Sequence, residues 1–290
     1  MANTATTAAG TLTVDRISPA IGARVSGIDI SGDLEDVVIA EIRAALVEHK
    51  VLVFNGQELN EETHVKFGRR FGELTFAHPV MAPLDDFHPE IWQIDSKGGG
   101  QNDNWHTDVT FVERPPLGSI LRPIRIPDVG GDTNWASLEA AYDSLAKPLQ
   151  DLADGLTAFH DGSHEFEAYL SHREGKGNVW DGKEFDRFEL VEHPVVRVHP
   201  ESGRKSLFVN PGFTVGIKGL SMTESSRLLE VFYSHITKPE HILRHRWSLG
   251  DVVFWDNRAT VHYANNDYGD FQRLMQRITL AGDVPVGPAN

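Results

Sequence analysis

The sequence predicts a mainly β fold with flanking helices, organised as a double-stranded β-helix, or jelly roll. Short apolar or alternating segments recur along the chain, Gly, Pro and Asp turns separate them, and there is no regular strand–helix–strand alternation. With 290 residues and 40% hydrophobic content, the chain can bury a substantial core. We therefore expect a single domain over residues 11–290, preceded by a disordered, Ala/Thr-rich leader at residues 1–10.

Each expected element follows from its periodicity. Strands are predicted where apolar residues alternate or run continuously, at residues 11–14, 24–28, 51–54, 91–94, 119–126, 195–198, 206–209, 252–255 and 274–280. Helices are predicted at residues 35–49, 61–71 and 138–154, the last divided by Pro148. A capping box at Ser221 and Glu224 opens a further helix that runs to about residue 235. Residues 176–183 are predicted to form a polar, mobile loop.

Charge and composition exclude several kinds of partner and site. Forty-two acidic and 27 basic residues give a formal net charge of −15, which repels nucleic acid and anionic membranes but still allows arginines in a pocket to bind a small anion. Because cysteine is absent, disulfides, thiolate metal sites and thiol catalysis are excluded, and a metal would need His, Asp or Glu. The sequence has neither signal-peptide features nor a membrane span, so we expect a soluble, cytoplasmic protein.

A His-x-Asp tripeptide is the candidate metal site. On an extended segment, residues two apart project to the same face, so His106 and Asp108 can reach one ion. His262 is the best third ligand, because it follows a predicted strand and turn and can return to the sheet. Two histidines and one carboxylate leave three positions open, as in non-haem Fe(II) oxygenases. Taken singly, such a tripeptide arises by chance and such a histidine usually hydrogen-bonds in a core, so the prediction depends on their joint occurrence.

Several further motifs occur in a fixed order along the chain. They are NDNWHTDVTF (102–111), GGDT (130–133), WDNRATVH (255–262) and QRLMQR (272–277), with FGEL (71–74), HPV (78–80), HPVVR (193–197) and HITKP (235–239). Together they resemble the taurine/2-oxoglutarate dioxygenase family from about residue 11 to residue 283. The resemblance implies an enzyme that uses Fe(II), 2-oxoglutarate and O2. Such an enzyme hydroxylates the carbon next to sulfur of a small organosulfonate such as taurine, releasing sulfite, an aldehyde, succinate and CO2.

The resemblance also implies roles for the metal and cosubstrate residues. His106, Asp108 and His262 match the iron ligands, and Arg273 matches the arginine that grips the distal carboxylate of 2-oxoglutarate. A planar guanidinium suits that carboxylate, because two parallel N–H bonds fix its orientation as well as its charge. Thr133 matches a threonine whose hydroxyl assists the same carboxylate, although alone it would be an ordinary strand residue.

A pocket for the primary substrate follows from the same resemblance. The matching residues are His78, Asn102 and Arg277 around the sulfonate, with Phe166 and Phe213 as apolar walls. Without the resemblance, the first two would be loop hydrogen-bonding residues and the phenylalanines would be core residues.

Two positions depart from the taurine enzyme, and one spacing supports the pocket. Met81 stands where that enzyme has a tyrosine, and Glu165 stands where it has a serine. A glutamate there can pair with an ammonium group, but it is unfavourable beside a purely apolar tail. Arg277 follows Arg273 by four residues, so a strand turns both guanidinium groups to one face, suited to two neighbouring anions.

Other interpretations remain open at this point. Related enzymes act on alkyl sulfate esters or on aryloxyalkanoates, which are also small anions suited to Arg277. A zinc hydrolase could use the same three ligands with a water, although it would not need Arg273 and Thr133. A non-catalytic sensor of 2-oxoglutarate is a third possibility. The resemblance further suggests a homodimer or a higher homo-oligomer.

Overall fold

The computed structural model describes residues 12–98, 102–172 and 177–289. Within these ranges the chain is mainly β, with six α-helices around the strands. The strands are β1 (Thr13–Arg16), β2 (Ala23–Ser26), β3 (Val51–Phe54), β4 (Trp92–Asp95), β5 (Gly118–Arg125), β6 (Thr133–Ser137), β7 (Thr157–His160), β8 (Val179–Trp180), β9 (Lys183–Glu184), β10 (Val191–Pro194), β11 (Val196–Val198), β12 (Lys205–Leu207), β13 (Thr214–Ile217), β14 (Ile242–His245), β15 (Val252–Asp256), β16 (Thr260–Ala264) and β17 (Leu274–Leu280). The helices are α1 (Asp36–His49), α2 (Glu61–Arg69), α3 (Leu138–Asp143), α4 (Lys147–Asp154), α5 (Ser163–His172) and α6 (Met222–Ile236).

Two sheets face each other across a shared core. The larger sheet has the order β1-β2-β3-β15-β5-β17-β4, and its neighbours are antiparallel except for β2 and β3. The smaller sheet has the order β14-β6-β16 and is antiparallel. Side chains such as Val53 of β3, Trp135 of β6 and Leu243 of β14 meet in one apolar cluster between the sheets. This arrangement agrees with the predicted mainly β fold with flanking helices, whereas the double-stranded β-helix winding itself stays a prediction.

The opposite face of the larger sheet is covered by helices. Along β3, Leu52 and Phe54 pack with Ile42 of α1 and Phe67 of α2, while the alternate residues face the smaller sheet. Both faces of this strand are therefore buried, which explains why it is a continuous apolar run instead of an alternating one. No helix in the described ranges is long and apolar enough to cross a membrane.

Local sequence signals explain most of the observed bounds. The capping box predicted for α6 forms: the Ser221 backbone N–H donates to Glu224 Oε2 over 2.9 Å, and the Ser221 hydroxyl accepts from the Glu224 N–H over 3.3 Å. The predicted strand at residues 274–280 is found with the same bounds as β17. Most other predicted elements are present with bounds shifted by one to three residues.

Two predicted elements need correction. The expected helix at residues 138–154 is two helices, α3 and α4, separated at residues 144–146. Pro148 lies in the first turn of α4, where its missing N–H is not needed, so it begins the second helix and does not divide a single one. The expected strand at residues 195–198 begins one residue later, as β11, because Val195 lies between β10 and β11 and donates to Leu156 O over 2.9 Å.

The predicted polar loop contains a small hairpin. Strands β8 and β9 pair across Asp181 and Gly182, whose φ angles of 50° and 76° are typical of a type I′ turn. An Asp-Gly pair between two strand residues on each side is a known hairpin signal, and the loop prediction overlooked it. Residue 176 and the predicted leader at residues 1–10 lie outside the described residues.

Candidate active site

His106, Asp108 and His262 form a buried cluster between the two sheets. One ligand-type atom of each lies within 4.8 Å of the other two, a spacing that can hold a metal ion. His262 lies on β16, and its backbone exchanges two hydrogen bonds with that of His106, with N···O distances of 3.0 and 2.7 Å. The backbone thus sets the spacing of the two imidazoles, whose ring centroids are 4.1 Å apart. The three residues predicted from the sequence are brought together.

Both imidazoles are in a state that can bind a metal. His106 Nδ1 lies 2.9 Å from Asn104 O, so Nδ1 carries the proton and the lone pair of Nε2 is available. Burial, followed by the neighbouring His106, lowers the pKa of His262 well below its ordinary value, so its ring is neutral. Among the described residues, His262 Nδ1 is buried and has no hydrogen-bond partner.

Asp108 reaches the cluster by a different route from the one predicted. His106 lies in extended backbone, but Asp108 lies in a turn that continues to Phe111, so the assumption of one extended segment is wrong for this ligand. Val109 follows with φ of 52°, which is strained for a β-branched residue. The shared orientation of His106 and Asp108 therefore comes from a strained turn.

The Asp108 carboxylate is held by two side chains. The Arg277 guanidinium donates a short hydrogen bond to Oδ1, and the Ser119 hydroxyl donates to Oδ2 over 2.9 Å. Burial opposes ionisation, but Arg277, followed by His262, His106 and Ser119, outweighs it and holds the pKa of Asp108 at about 2. The carboxylate is therefore ionised at neutral pH, as a metal ligand must be.

Arg273 and Thr133 are in direct contact. The Arg273 guanidinium is buried and lies 3.3 Å from Thr133 Oγ1, which also accepts a hydrogen bond of 2.9 Å from Trp247 Nε1. Because both neighbours donate to this oxygen, the Thr133 hydroxyl proton can be donated to a bound anion. Both residues line one cavity together with Asn102, Trp135, Trp255, His262 and Arg277. The two arginines thus face the same space, as the spacing predicted.

Arg277 lies against aromatic rings on the substrate side. Its guanidinium carbon is 4.7 Å from the centroid of the Trp92 ring, and that ring is 5.0 Å from the ring of His78. Arg277 Nε is buried and has no hydrogen-bond partner in the described part of the chain. His78 Nδ1 accepts from the backbone N–H groups of Val80 and Met81, each over 3.1 Å, so its Nε2 carries the proton.

The predicted apolar walls are adjacent to these groups. Phe166 lies 4.8 Å from His78, and Phe213 lies 6.1 Å from His106, as measured between ring centroids. The two phenylalanines belong to one apolar cluster, against which Met81 packs. The structure therefore connects the expected substrate residues to the metal cluster through a continuous set of rings.

Glu165 is placed less directly. It lies on α5 next to Phe166, and in the described chain its Oε2 is buried without a hydrogen-bond partner. The contacts described for the chain do not connect its carboxylate to His106, Asp108 or His262. Its expected place in the substrate pocket stays a prediction.

Four contributing residues were not singled out from the sequence. Trp92, Ser119 and Trp247 contact Arg277, Asp108 and Thr133 through long-range packing, which local patterns do not reveal. The fourth, Asn257, lies within the WDNRATVH motif, and this position was the signal that could have revealed it. Trp92 packs on Arg277, Ser119 donates to Asp108, Trp247 donates to Thr133, and Asn257 accepts from the Asp108 backbone N–H.

Comparisons with known proteins agree with this geometry. Residues 13–279 match the family model described as taurine catabolism dioxygenase TauD, TfdA family. The chain belongs to the TauD/TfdA family. An alpha-ketoglutarate-dependent sulfate ester dioxygenase from Pseudomonas putida is 42% identical over 285 residues, which cover 95% of this TauD/TfdA chain and 91% of the relative. An alkylsulfatase from Acinetobacter baylyi is 41% identical, with 95% and 87% covered.

A solved structure supports the same assignment. A taurine dioxygenase from Burkholderia xenovorans matches the TauD/TfdA chain with a TM-score of 0.81 and 40% identity, covering 96% of this chain and 93% of that one. The chain is thus an alpha-ketoglutarate-dependent dioxygenase, and the family implies Fe(II), 2-oxoglutarate and O2. The buried donor set of two imidazoles and one carboxylate fits Fe(II). Membership in the TauD/TfdA family favours oxidative chemistry over hydrolysis by a zinc enzyme.

Buried neutral histidines should make this dioxygenase less stable in acid. Burial is the main cause that lowers the pKa of His64 and of His78 to about 3 and that of His193 to about 4. Histidines in the unfolded chain have a pKa near 6.5, so below that pH the unfolded chain binds more protons than the folded one and the free energy of unfolding falls. Above that pH the contribution of these histidines to stability is fully present. These three histidines together should cost roughly 4 kcal/mol of unfolding free energy between pH 7.5 and pH 5.5, about 1.4 kcal/mol each.

Urea unfolding of the metal-free protein at the two pH values measures this loss. The variant His64→Asn should show a smaller acid loss, by about 1.4 kcal/mol, because it removes one of the buried histidines that contribute. Equal unfolding free energies at pH 7.5 and pH 5.5 would contradict the prediction.

Proposed function

We propose that the chain hydroxylates the carbon bearing the sulfate oxygen of a monoanionic alkyl sulfate ester. In this proposal Fe(II) is held by His106, Asp108 and His262, and the distal carboxylate of 2-oxoglutarate is held by Arg273 and Thr133. The position of Arg277 carries the choice of substrate: this buried guanidinium has an unpartnered Nε and lies between Asp108 and an apolar, aromatic wall.

The charges of the site favour a substrate with a single negative charge. Asp108 is anionic, the imidazoles of His106 and His262 are uncharged as metal ligands, and Arg273 and Arg277 are cationic. The charge of Fe(II) is matched by Asp108 and one carboxylate of 2-oxoglutarate, and the charge of Arg273 is matched by the other carboxylate, so the positive charge of Arg277 is left over. Because an unbalanced buried charge is unfavourable, Arg277 should receive one anionic group from the substrate. A sulfate ester supplies that group.

The walls of the pocket favour an apolar tail. Phe166, Phe213 and Phe111 pack together beside His78, with ring centroids 4.8–6.2 Å apart along the set. An alkyl group gains free energy by packing against such rings, at about 0.8 kcal/mol for each buried methylene. The named activity of the Pseudomonas putida relative, on sulfate esters, supports the same choice.

The residues of the chain hold and orient the reactants. When bound, the iron and 2-oxoglutarate supply oxidative decarboxylation, in which one oxygen atom of O2 enters succinate and the other enters the substrate. Arg277 directs the sulfate, the rings of Phe166 and Phe213 exclude water, and His78 offers a neutral Nε2–H. The hydroxylated product is a hemiacetal sulfate, which loses sulfate and leaves an aldehyde.

Taurine is a second candidate, and Glu165 favours it. Taurine is a zwitterion, so its ammonium group needs an additional negative charge beside the pocket. Glu165 has a buried, unpartnered Oε2 within the described structure and follows the start of α5 next to Phe166. The structural match to a taurine dioxygenase supports the same candidate. On taurine, hydroxylation next to sulfur would release sulfite instead of sulfate.

A substrate panel separates these candidates. Purified protein is supplied with Fe(II), ascorbate, 2-oxoglutarate and O2, together with hexyl sulfate, taurine, hexanesulfonate or phenoxyacetate, and succinate, sulfate and sulfite are measured. We expect hexyl sulfate to give sulfate and succinate in equal amounts, and neither product without O2. The matched variant Glu165→Gln should leave hexyl sulfate turnover unchanged.

Other outcomes would overturn parts of the proposal. Turnover of taurine that is lost in Glu165→Gln would establish the zwitterion as substrate. Release of sulfate without O2 would indicate hydrolysis, and turnover of phenoxyacetate alone would assign a carboxylate substrate. Absence of succinate with every compound would contradict the whole proposal.

A further inference from the structure

We infer that Asn257 is a positioning residue that fixes the Asp108 backbone, and with it the direction of the Cα–Cβ bond, whereas Arg277 and Ser119 hold the carboxylate oxygens. The inference rests on the proposed role of Asp108 as an iron ligand. Asn257 is 1% exposed; its Oδ1 accepts from the Asp108 backbone N–H over 3.1 Å, and its Nδ2 donates to the Asp108 carbonyl over 3.0 Å. A single side-chain amide therefore satisfies both backbone polar groups of Asp108, which a neighbouring strand would otherwise do.

Asp108 needs such a clamp because the turn after it is strained. Val109 has φ of 52°, and a β-branched residue does not hold this conformation unless its surroundings impose it. Beyond Val109, the Thr110 hydroxyl is bonded to His160 Nδ1 over 2.9 Å and accepts from Asn210 Nδ2 over 3.2 Å. The backbone is thus fastened on both sides of the strained residue. The direction of the Asp108 Cα–Cβ bond follows from these two anchors.

Asn257 is itself held rigidly. Its backbone N–H donates to Leu117 O over 2.9 Å, and Nδ2 also lies 3.4 Å from Pro116 O. The preceding Asp256 is buried and accepts from Arg258 Nε over 2.9 Å and from Arg258 Nη2 over 2.6 Å. A side chain anchored in this way can transmit its geometry to Asp108, which a mobile one could not.

The test is the affinity of the full-length, metal-free protein for Mn(II), measured from the electron paramagnetic resonance signal of free Mn(II). Asn257→Ala should raise the Mn(II) Kd about 10- to 100-fold, the usual effect of removing a group that orients a metal ligand. The matched control is Thr260→Val, because the Thr260 hydroxyl donates to Asp256 O in the same turn over 2.8 Å. This control should leave the Kd within about threefold, since it leaves the amide clamp in place.

Urea unfolding of both variants separates positioning from general stability. A purely structural role would lower the unfolding midpoint of Asn257→Ala and leave the Mn(II) Kd of the folded protein as in the wild type, and that result would overturn the inference. If Asn257→Ala does not fold, Asn257→Asp is used. It keeps an oxygen for the Asp108 N–H and places another oxygen against the Asp108 carbonyl, so it should also weaken Mn(II) binding, and unchanged binding would overturn the inference.

Asp108→Ala distinguishes failure of this inference from failure of the proposed function. If Asp108→Ala abolishes Mn(II) binding and Asn257→Ala does not alter it, only the role of Asn257 is wrong. If Asp108→Ala binds Mn(II) as the wild type does, Asp108 is not a metal ligand and both proposals fail.

Discussion

Replacing His262 with alanine is expected to reduce succinate formation at least about a thousandfold, because one of three protein ligands of the iron is lost. The backbone pairing between His262 and His106 does not require the imidazole, so the fold should persist. Turnover of 2-oxoglutarate and Mn(II) affinity, measured on the same preparation, should fall together.

A buried histidine outside the cluster is the control for this variant. His64 is fully buried, and its Nε2 lies 3.2 Å from Ile120 O, on the helix-covered side of the larger sheet. The variant His64→Ala should lose stability but keep its turnover and its Mn(II) affinity at a temperature where circular dichroism shows that it is folded. Full turnover by His262→Ala would show that the iron is held elsewhere.

The sequence was sufficient to predict that His106, Asp108 and His262 lie together, but not the conformation that brings them together. The family resemblance implies their role as iron ligands, which stays a prediction, and two imidazoles with one carboxylate are a donor set that suits Fe(II). The turn at Asp108 could not be predicted, since valine disfavours positive φ and Val109 adopts it only under tertiary contacts from Asn257 and from the partners of Thr110. Local propensity was overridden by packing.

The contact between Arg277 and Asp108 is a second feature that sequence patterns could not predict. The two residues are separated by 169 positions. From the sequence, Asp108 is predicted to bind iron and Arg277 to bind the primary substrate. Strand β17 was predicted with its observed bounds, although it is buried from Met275 to Leu280 and therefore shows no simple alternation of apolar and polar residues. Helix α5 was not predicted, since only Phe166 and Leu170 are buried among its ten residues, too few to produce a clear apolar stripe.

Alanine at Arg273 and alanine at Arg277 are expected to weaken different ligands. Arg273 contacts Thr133 and lies away from Asp108 in the described hydrogen bonds, whereas Arg277 contacts Asp108 and Trp92. Removing the charged partner of a buried anion costs about 2–5 kcal/mol of binding free energy, which lowers the affinity at least about thirtyfold. Arg273→Ala should therefore raise the KM for 2-oxoglutarate by at least about thirtyfold, and Arg277→Ala should do the same for the primary substrate.

One residue serves as the control for both variants. Gln276 lies between the two arginines but bonds Arg122 and Glu61 on the other face of the sheet, so Gln276→Ala should change neither KM. Arg277→Ala should leave the KM for 2-oxoglutarate within about threefold, because Arg273 keeps the cosubstrate carboxylate. An equal rise in the 2-oxoglutarate KM in both arginine variants would mean that the two guanidinium groups share one anion. The charge that we assign to the primary substrate would then have no partner in the site.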